Sequence, residues 1–152
     1  MVIKVCNENI TNAAEIHSLS WKESHKHFCD PKFIDLHSVE HQTEYLLNEM
    51  NSGKEVYMLI KNIPVGIVSV KDNLIENLYV LPSEQNKGYG SELLEFAVSK
   101  CADIPSLWIL ENNVAAYKLY TNHGFYKTGK MNELSSNFCE IEMKQKIDKT
   151  LY

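Results

Sequence analysis

The chain has 152 residues, a length that suits one domain, residues 1–152, with its own hydrophobic core and no need of disulfides or a metal to hold it together. Its formal net charge is −5 and all fifteen of its basic residues are lysine, which argues against nucleic acid as a partner and leaves any side-chain contact to phosphate to a point charge or to neutral donors. Cys6, Cys29, Cys101 and Cys139 show no Cys-x-x-Cys spacing, no stretch approaches the ~18 apolar residues of a membrane span, and the first residues are too short an apolar run for a signal peptide, so a cytoplasmic protein with free thiols and no membrane partner is expected.

Residues 2–6 alternate as a first strand. A helix follows over about 12–27, with Ala13, Ile16, Leu19 and Ser20 on its inner side and Trp21, His25 and Phe28 toward its end, where Pro31 closes the segment. Trp21 and Phe28 read either as core or as the lining of a ligand mouth. His17, His25 and His27 lack the spacing of a metal set, and no His-Glu-x-x-His occurs, so no metal is expected. Residues 32–38 read as an irregular link. Ser38 caps a helix over 39–51 whose inner face carries Thr43, Leu46, Leu47 and Met50.

Residues 55–61, 64–72 and 74–81 are three strands with short turns between them, an antiparallel meander whose last member is an apolar run near the middle of the sheet. Pro82 ends that run. Residues 91–100 then put Leu93, Leu94, Ala97 and Val98 on one face of a helix. After Pro105 come a short apolar strand over 107–110 and a helix opened by Glu111-Asn112-Asn113, carrying Ala115, Ala116, Leu119 and Tyr120 and stopped by Gly124. Phe125 begins another strand, residues 132–138 read as a hairpin tip, and residues 138–146 form the last strand. The order is β-α-α-β-β-β-α-β-α-β-β, an α/β fold with a mixed, mostly antiparallel sheet and helices on both faces.

The chemistry sits between the third meander strand and the helix after it. Gln85-Asn86-Lys87-Gly88-Tyr89-Gly90 is a two-glycine loop that runs into a helix start, where glycine allows consecutive N–H groups to converge and the helix end supplies unpaired donors and a favourable field for an anion. A phosphate or pyrophosphate suits it, with Lys87 and Gln85 at the side. A tight strand-to-helix turn would use the same glycines. Neither the dinucleotide fingerprint nor a P-loop fits.

Two segments carry a resemblance. Gln85 to Gly90 resembles the acyl-CoA pyrophosphate loop of the GCN5-related N-acetyltransferases (GNAT), and Asn113-Val114-Ala115-Ala116-Tyr117-Lys118-Leu119-Tyr120 followed by Gly124-Phe125 resembles the same family's second signature. Order, separation and length agree over essentially the whole chain. The resemblance implies a GNAT acyl-CoA N-acyltransferase fold and acetyl-CoA as co-substrate. It implies a pantetheine arm lying between the strands of residues 74–81 and 107–110 against the backbone of Leu78, Tyr79 and Val80. The pyrophosphate would rest on the amides of Asn86, Lys87, Gly88, Tyr89, Gly90 and Ser91, with Gln85 beside it. Asn113, Ala116 and Tyr117 would complete the cofactor contacts. The family commonly has Arg where this chain has Lys87, which shifts reliance toward backbone amides.

The implied reaction is direct acetyl transfer to a primary amine, with no covalent enzyme intermediate; no cysteine here has a His and an acid in a recognisable arrangement. The Val80 N–H would be the oxyanion donor and Tyr120 the general acid. Tyr117 shares much of the same helix face, so the residues alone leave the two tyrosines open. Glu76, which strand alternation puts on the face of Leu78 and Val80, is a candidate base, beside Glu111 or no dedicated base at all. Trp21, His25 and Phe28, with residues 29–37 and 130–138, would shape the acceptor pocket. Glu23, Asp30, Asp35, Glu40 and Glu133 favour a small cationic amine there: a polyamine, an aminoglycoside-like compound or an amino-acid derivative. A protein N-terminus or lysine, and a non-catalytic acyl-CoA-sensing domain, are the alternative readings. Homodimers occur among such proteins, and the sequence does not decide for or against one.

Overall fold

The computed structural model describes residues 1–27, 29–135 and 138–146. Seven strands form one sheet: β1 (Val2–Lys4), β2 (Glu55–Ile60), β3 (Pro64–Lys71), β4 (Leu74–Val80), β5 (Ser106–Leu110), β6 (Phe125–Ser135) and β7 (Phe138–Gln145), in the spatial order β1-β2-β3-β4-β5-β7-β6. Only β4 and β5 run parallel; every other neighbouring pair is antiparallel. The expected meander is β2-β3-β4, and β4 is the central strand of seven.

The helices are α1 (Ile10–His25), α2 (Pro31–Asp35), α3 (Val39–Asn51), α4 (Tyr89–Lys100) and α5 (Val114–Asn122). They divide between the two faces because the sheet carries two apolar surfaces. Ile10, Ala13, Ala14 and Ile16 of α1 and Leu46 of α3 pack with Val56, Met58 and Ile67 on one face. Leu93, Leu94 and Ala97 of α4 and Tyr120 of α5 pack with Val68, Val70, Ile75, Leu107 and Ile109 on the other. Burying such side chains contributes roughly 1.5–3 kcal/mol each.

Four expectations are corrected. The segment expected to be an irregular link contains α2, where Pro31 occupies the first turn and Asp30 Oδ1 accepts from the Lys32 N–H at 2.8 Å, a proline-started and side-chain-capped helix. Leu19 is 55% exposed, whereas Ala14, His17, Ser18 and Ser20 turn inward. The polar trio is inside because it has partners there: Ser18 Oγ donates to His37 O at 2.6 Å, Ser20 Oγ donates to Val80 O at 3.2 Å, and His17 stacks on Tyr79. Finally, β6 continues to Ser135, past the start of the expected hairpin tip, and the α4 helix starts two residues early, at Tyr89.

One close approach fixes how β3, β4 and α4 fit together. A Cβ on Gly66 would lie 2.6 Å from Leu93 Cδ1 and 2.9 Å from the Tyr79 carbonyl oxygen. Only a residue without a side chain lets α4 rest on the sheet at that point.

Candidate active site

The site begins with an irregularity in β4. Ser69 pairs with Glu76 and Ile67 with Tyr79, so one residue on β3 opposes two on β4, Asn77 and Leu78. That is a β-bulge, and Asn77 holds it in a left-handed conformation (φ 53°) that Asn tolerates better than most residues. Its side chain pins the bulge from both directions: Nδ2 donates to Ser69 Oγ at 3.2 Å, and Oδ1 accepts from the Tyr45 hydroxyl at 3.4 Å.

The bulge bends β4 away from its parallel neighbour. Pairing between the two stops after Leu74–Ser106 and Ile75–Leu107, while β5 remains fully paired with β7. Beyond that point β4 and β5 diverge and leave a gap. The Leu81 N–H donates to Val65 O at 2.8 Å, which makes Gly66 and Val80 a non-hydrogen-bonded pair and directs the Val80 N–H away from β3, into the gap. The Val80 carbonyl is already engaged, by Ser20 Oγ and by Gln85 Nε2 at 3.2 Å each.

At the end of β4 the chain makes a short 3-10 turn (Pro82–Glu84) and reaches the glycine loop. Asn86 (φ 64°) and Gly88 (φ 84°) are both left-handed. The first helical bond of α4 runs from the Glu92 N–H to Gly88 O at 3.1 Å, and no side chain caps the helix. The N–H groups of Tyr89, Gly90 and Ser91 therefore have no acceptor among the described residues, and they open beside the β4–β5 gap. Gly90 also lets α5 approach, since a Cβ there would meet Leu119 Cδ2 at 3.4 Å. Two side chains named with this loop have other partners. Lys87 Nζ lies 2.8 Å from Glu84 Oε2, which holds the lysine above its ordinary pKa, and Gln85 turns its amide back to β4.

Asn113 caps α5, its Oδ1 accepting from the Ala116 N–H at 3.1 Å. The structure separates the two tyrosines that spacing could not. Tyr117 is 38% exposed with the Lys127 ammonium 5.0 Å from its ring centroid. Tyr120 is 8% exposed, packed beside Phe125, and burial raises its phenol to about 12. Its influence reaches β4: the Tyr79 phenol is raised by burial first, and by Tyr45 and Tyr120 after that.

Glu76 is not on the face that simple alternation assigned to it. The extra residue at Asn77 reverses the parity of the strand beyond it, so Leu78 and Val80 pack with the α4 side while Glu76, opposite Ser69, lies on the α1–α3 side with Tyr79. There Lys54 Nζ sits 3.0 Å from Glu76 Oε2 and also pairs with Glu49. Burial would lower Lys54, but the hydrogen bonds from Glu49 and Glu76 outweigh it and hold the ammonium above its ordinary value.

On the same side of the sheet, against the bulge, lies a cavity of about 170 Å³ lined by His17, Trp21, His37, His41, Gln42, Tyr45, Asn77 and Tyr79. Of the residues expected to shape the acceptor pocket, Trp21 and, from the 29–37 segment, His37 line it. His25 stacks on Trp21 outside that lining, with ring centroids 3.9 Å apart, and Phe28 lies outside the described residues. None of Glu23, Asp30, Asp35, Glu40 or Glu133 lines it. Sequence reasoning missed His17, His41, Gln42, Tyr45 and Asn77, and named His37 only as part of a segment. The repeat of His37 and His41 at helical spacing was a faint signal, and nothing local marked the others. His17 is 4% exposed and its Nδ1 has no hydrogen-bond partner. Burial, then His37 and His41, lower its pKa to about 4, so it is a neutral imidazole at neutral pH. All four cysteines are free, and burial raises the Cys29 and Cys101 thiols. Among the described residues no group of three or more His, Cys, Asp or Glu could hold a metal ion. No helix among them is long and apolar enough to cross a membrane.

Comparison with known proteins gives a consistent result. The model of the acetyltransferase (GNAT) domain matches residues 52–127, from the end of α3 through the glycine loop to the start of β6. No curated protein sequence matches the chain. Among solved structures, the PaiA N-acetyltransferase of Thermoplasma acidophilum in complex with coenzyme A is 17% identical, covers 97% of this chain and 98% of its own, and superposes with a TM-score of 0.70. YncA, a putative acetyltransferase of Salmonella typhimurium with acetyl-CoA, is 18% identical over 98% of this chain and 94% of its own, with a TM-score of 0.70. A GNAT-family acetyltransferase of Bacillus cereus is 17% identical over 98% of both chains, with a TM-score of 0.73. At these identities the likeness is one of fold.

Proposed function

Because the chain belongs to the acetyltransferase (GNAT) family, we propose that it transfers the acetyl group of acetyl-CoA directly to the primary amine of a small molecule. The observation that carries this reading is the pairing of two features at one end of β4: a Val80 N–H directed into the β4–β5 gap, and three amides at the start of α4 that have no acceptor among the described residues.

These residues fit a thioester with a diphosphate tail. The amides of Tyr89, Gly90 and Ser91 would hold the diphosphate, with the left-handed Asn86 and Gly88 shaping the loop around it and Lys87 adding charge from the rim. The pantetheine arm would lie along the unpaired edge of β4 at Leu78, Tyr79 and Val80, where Asn113, Ala116 and Tyr117 of α5 border it. When bound, acetyl-CoA supplies an activated acyl carbon and a thiolate leaving group.

The protein's own contribution is positioning and charge. The Val80 N–H donates to the carbonyl oxygen as negative charge grows on it, a role worth several kcal/mol for a well-aimed donor. Tyr120, protonated throughout the physiological range, would supply a proton to the departing sulfur, and the proton shed by the acylated nitrogen would restore the phenol, so that the transfer balances with no dedicated base. The acceptor amine would enter from the α1–α3 side, through the cavity that borders the bulge. Glu76 faces that side but is held by Lys54. We therefore give it a structural task and let the amine arrive already unprotonated.

Titration calorimetry with acetyl-CoA, followed by thiol release over a panel of amines, tests this function. Saturable heat and amine-dependent release support it. Binding without release makes the chain an acyl-CoA sensor, and absence of binding removes the reading altogether.

A further inference from the structure

The cavity beside the bulge differs in chemistry from the acidic pocket that composition suggested. Its lining holds three imidazoles, two phenols, an indole and two carboxamides, and no aspartate, glutamate or lysine. Four carboxylates of that region are engaged elsewhere. Glu49 and Glu76 share Lys54, Glu23 pairs with Lys26, and Asp30 caps α2.

Nor does the Trp21 indole offer a platform for a cation. His25 and His37 lie 3.9 and 3.4 Å from Trp21 by ring centroids, each within 9° of parallel. Two imidazoles at those distances cannot share one face, so the indole is covered on both. The Tyr79 ring is stacked by His17 at 4.9 Å. What the cavity does present is hydrogen-bonding side chains, those of His37, His41, Gln42 and Tyr45 among them. An ammonium placed here would lose its hydration with no carboxylate in return, at a cost of several kcal/mol. A neutral amine loses far less, and an N–H donated to an imidazole nitrogen satisfies both groups.

We infer that the cavity selects a small, uncharged amine of low basicity, an aryl amine or the α-amino group of a neutral derivative, and discriminates against alkylammonium acceptors such as polyamines and lysine side chains. The inference rests on the acetyl-transfer reading and narrows it. It also accounts for the lack of a free carboxylate base: at pH 7.5 about a third of a typical α-amino group is already neutral, against about one part in a thousand of a lysine-like amine.

The experiment measures thiol release from acetyl-CoA at pH 7.5 with glycinamide and 4-methylaniline against cadaverine and spermidine, beside calorimetry with acetyl-CoA alone. The expected result is a kcat/KM at least about 100-fold higher for the weakly basic pair, following the neutral fractions. Gln42→Glu, which puts a carboxylate into the lining, should raise the cadaverine-to-glycinamide ratio at least tenfold. If acetyl-CoA binds and cadaverine or spermidine is the better acceptor for the unaltered protein, this inference is wrong and the transferase reading stands. If acetyl-CoA binds and no amine releases thiol, both fall. Should the Gln42 variant fail to fold, the ratio for the unaltered chain decides the question by itself.

Discussion

Lys54 places its ammonium 3.0 Å from Glu76 Oε2 and pairs with Glu49 as well, joining the start of β2 to the end of α3 and to β4 just ahead of the bulge. Its side chain is only 8% exposed. Removing that cation would leave two carboxylates facing one another, so Lys54→Met should cost about 3 kcal/mol in chemical denaturation. Glu76→Gln keeps the Lys54–Glu49 pair and should cost only about 1 kcal/mol. Its kcat should stay within about threefold of the unaltered protein, because a general base contributes at least ~100-fold. A hundredfold fall with acetyl-CoA affinity intact would restore Glu76 as the base.

Tyr120 is buried against the β4–β5 gap while Tyr117 is on the surface. Tyr120→Phe should lower kcat by about 100-fold or more, with the calorimetric Kd for acetyl-CoA within about twofold. Tyr117→Phe should change kcat by less than threefold, since it keeps the ring and removes only a hydroxyl away from the gap. Equal effects of the two would remove the acid role from Tyr120.

Gly88 holds a φ of 84°, yet a Cβ there would meet nothing within 4 Å. Gly88→Ala therefore tests conformation without a clash. It should cost about 1–2 kcal/mol of loop strain and weaken acetyl-CoA roughly tenfold, with a smaller effect on thermal stability. Calorimetry and a melting curve read the two separately.

At Gly66 the obstacle is contact. A Cβ there would press on Leu93 and on the Tyr79 carbonyl, and the second is backbone that cannot rotate out of the way. Gly66→Ala should destabilise by about 1–3 kcal/mol. It should also disturb the bulge, visible as faster amide exchange at Tyr79 and Val80.

His17 gives a pH dependence of defined sign. Its pKa falls from an ordinary 6.5 to about 4 on folding, chiefly through burial and then through His37 and His41. The unfolded chain therefore binds more protons between those values. The stability it contributes is complete above about pH 6.5 and is lost as pH falls toward 4, amounting to about 3 kcal/mol. His17→Phe should flatten that slope in denaturant titrations at pH 4 to 7. An unchanged slope would place the titration on His25 or His37, both also lowered first by burial.

The sequence by itself determined what depends on neighbours along the chain. The order of elements, the two helix stops, the Ser38 and Asn113 caps and the left-handed loop at Gly88 are set by residues within a turn or so of one another, and the glycine loop was legible for that reason. Only the tertiary structure decided what depends on parity and on partners distant in sequence. One inserted residue at Asn77 reversed the alternation of β4 and carried Glu76 to the other face, a shift no period-two reading can contain. Leu19 went out and His17 came in because the space above β4 was filled by Tyr79 and Tyr45, which arrive from elements far along the chain. The character of the cavity follows from the same cause: its lining is assembled from α1, α3, β4 and the link before α3, while Glu23 pairs with Lys26 and Asp30 caps α2.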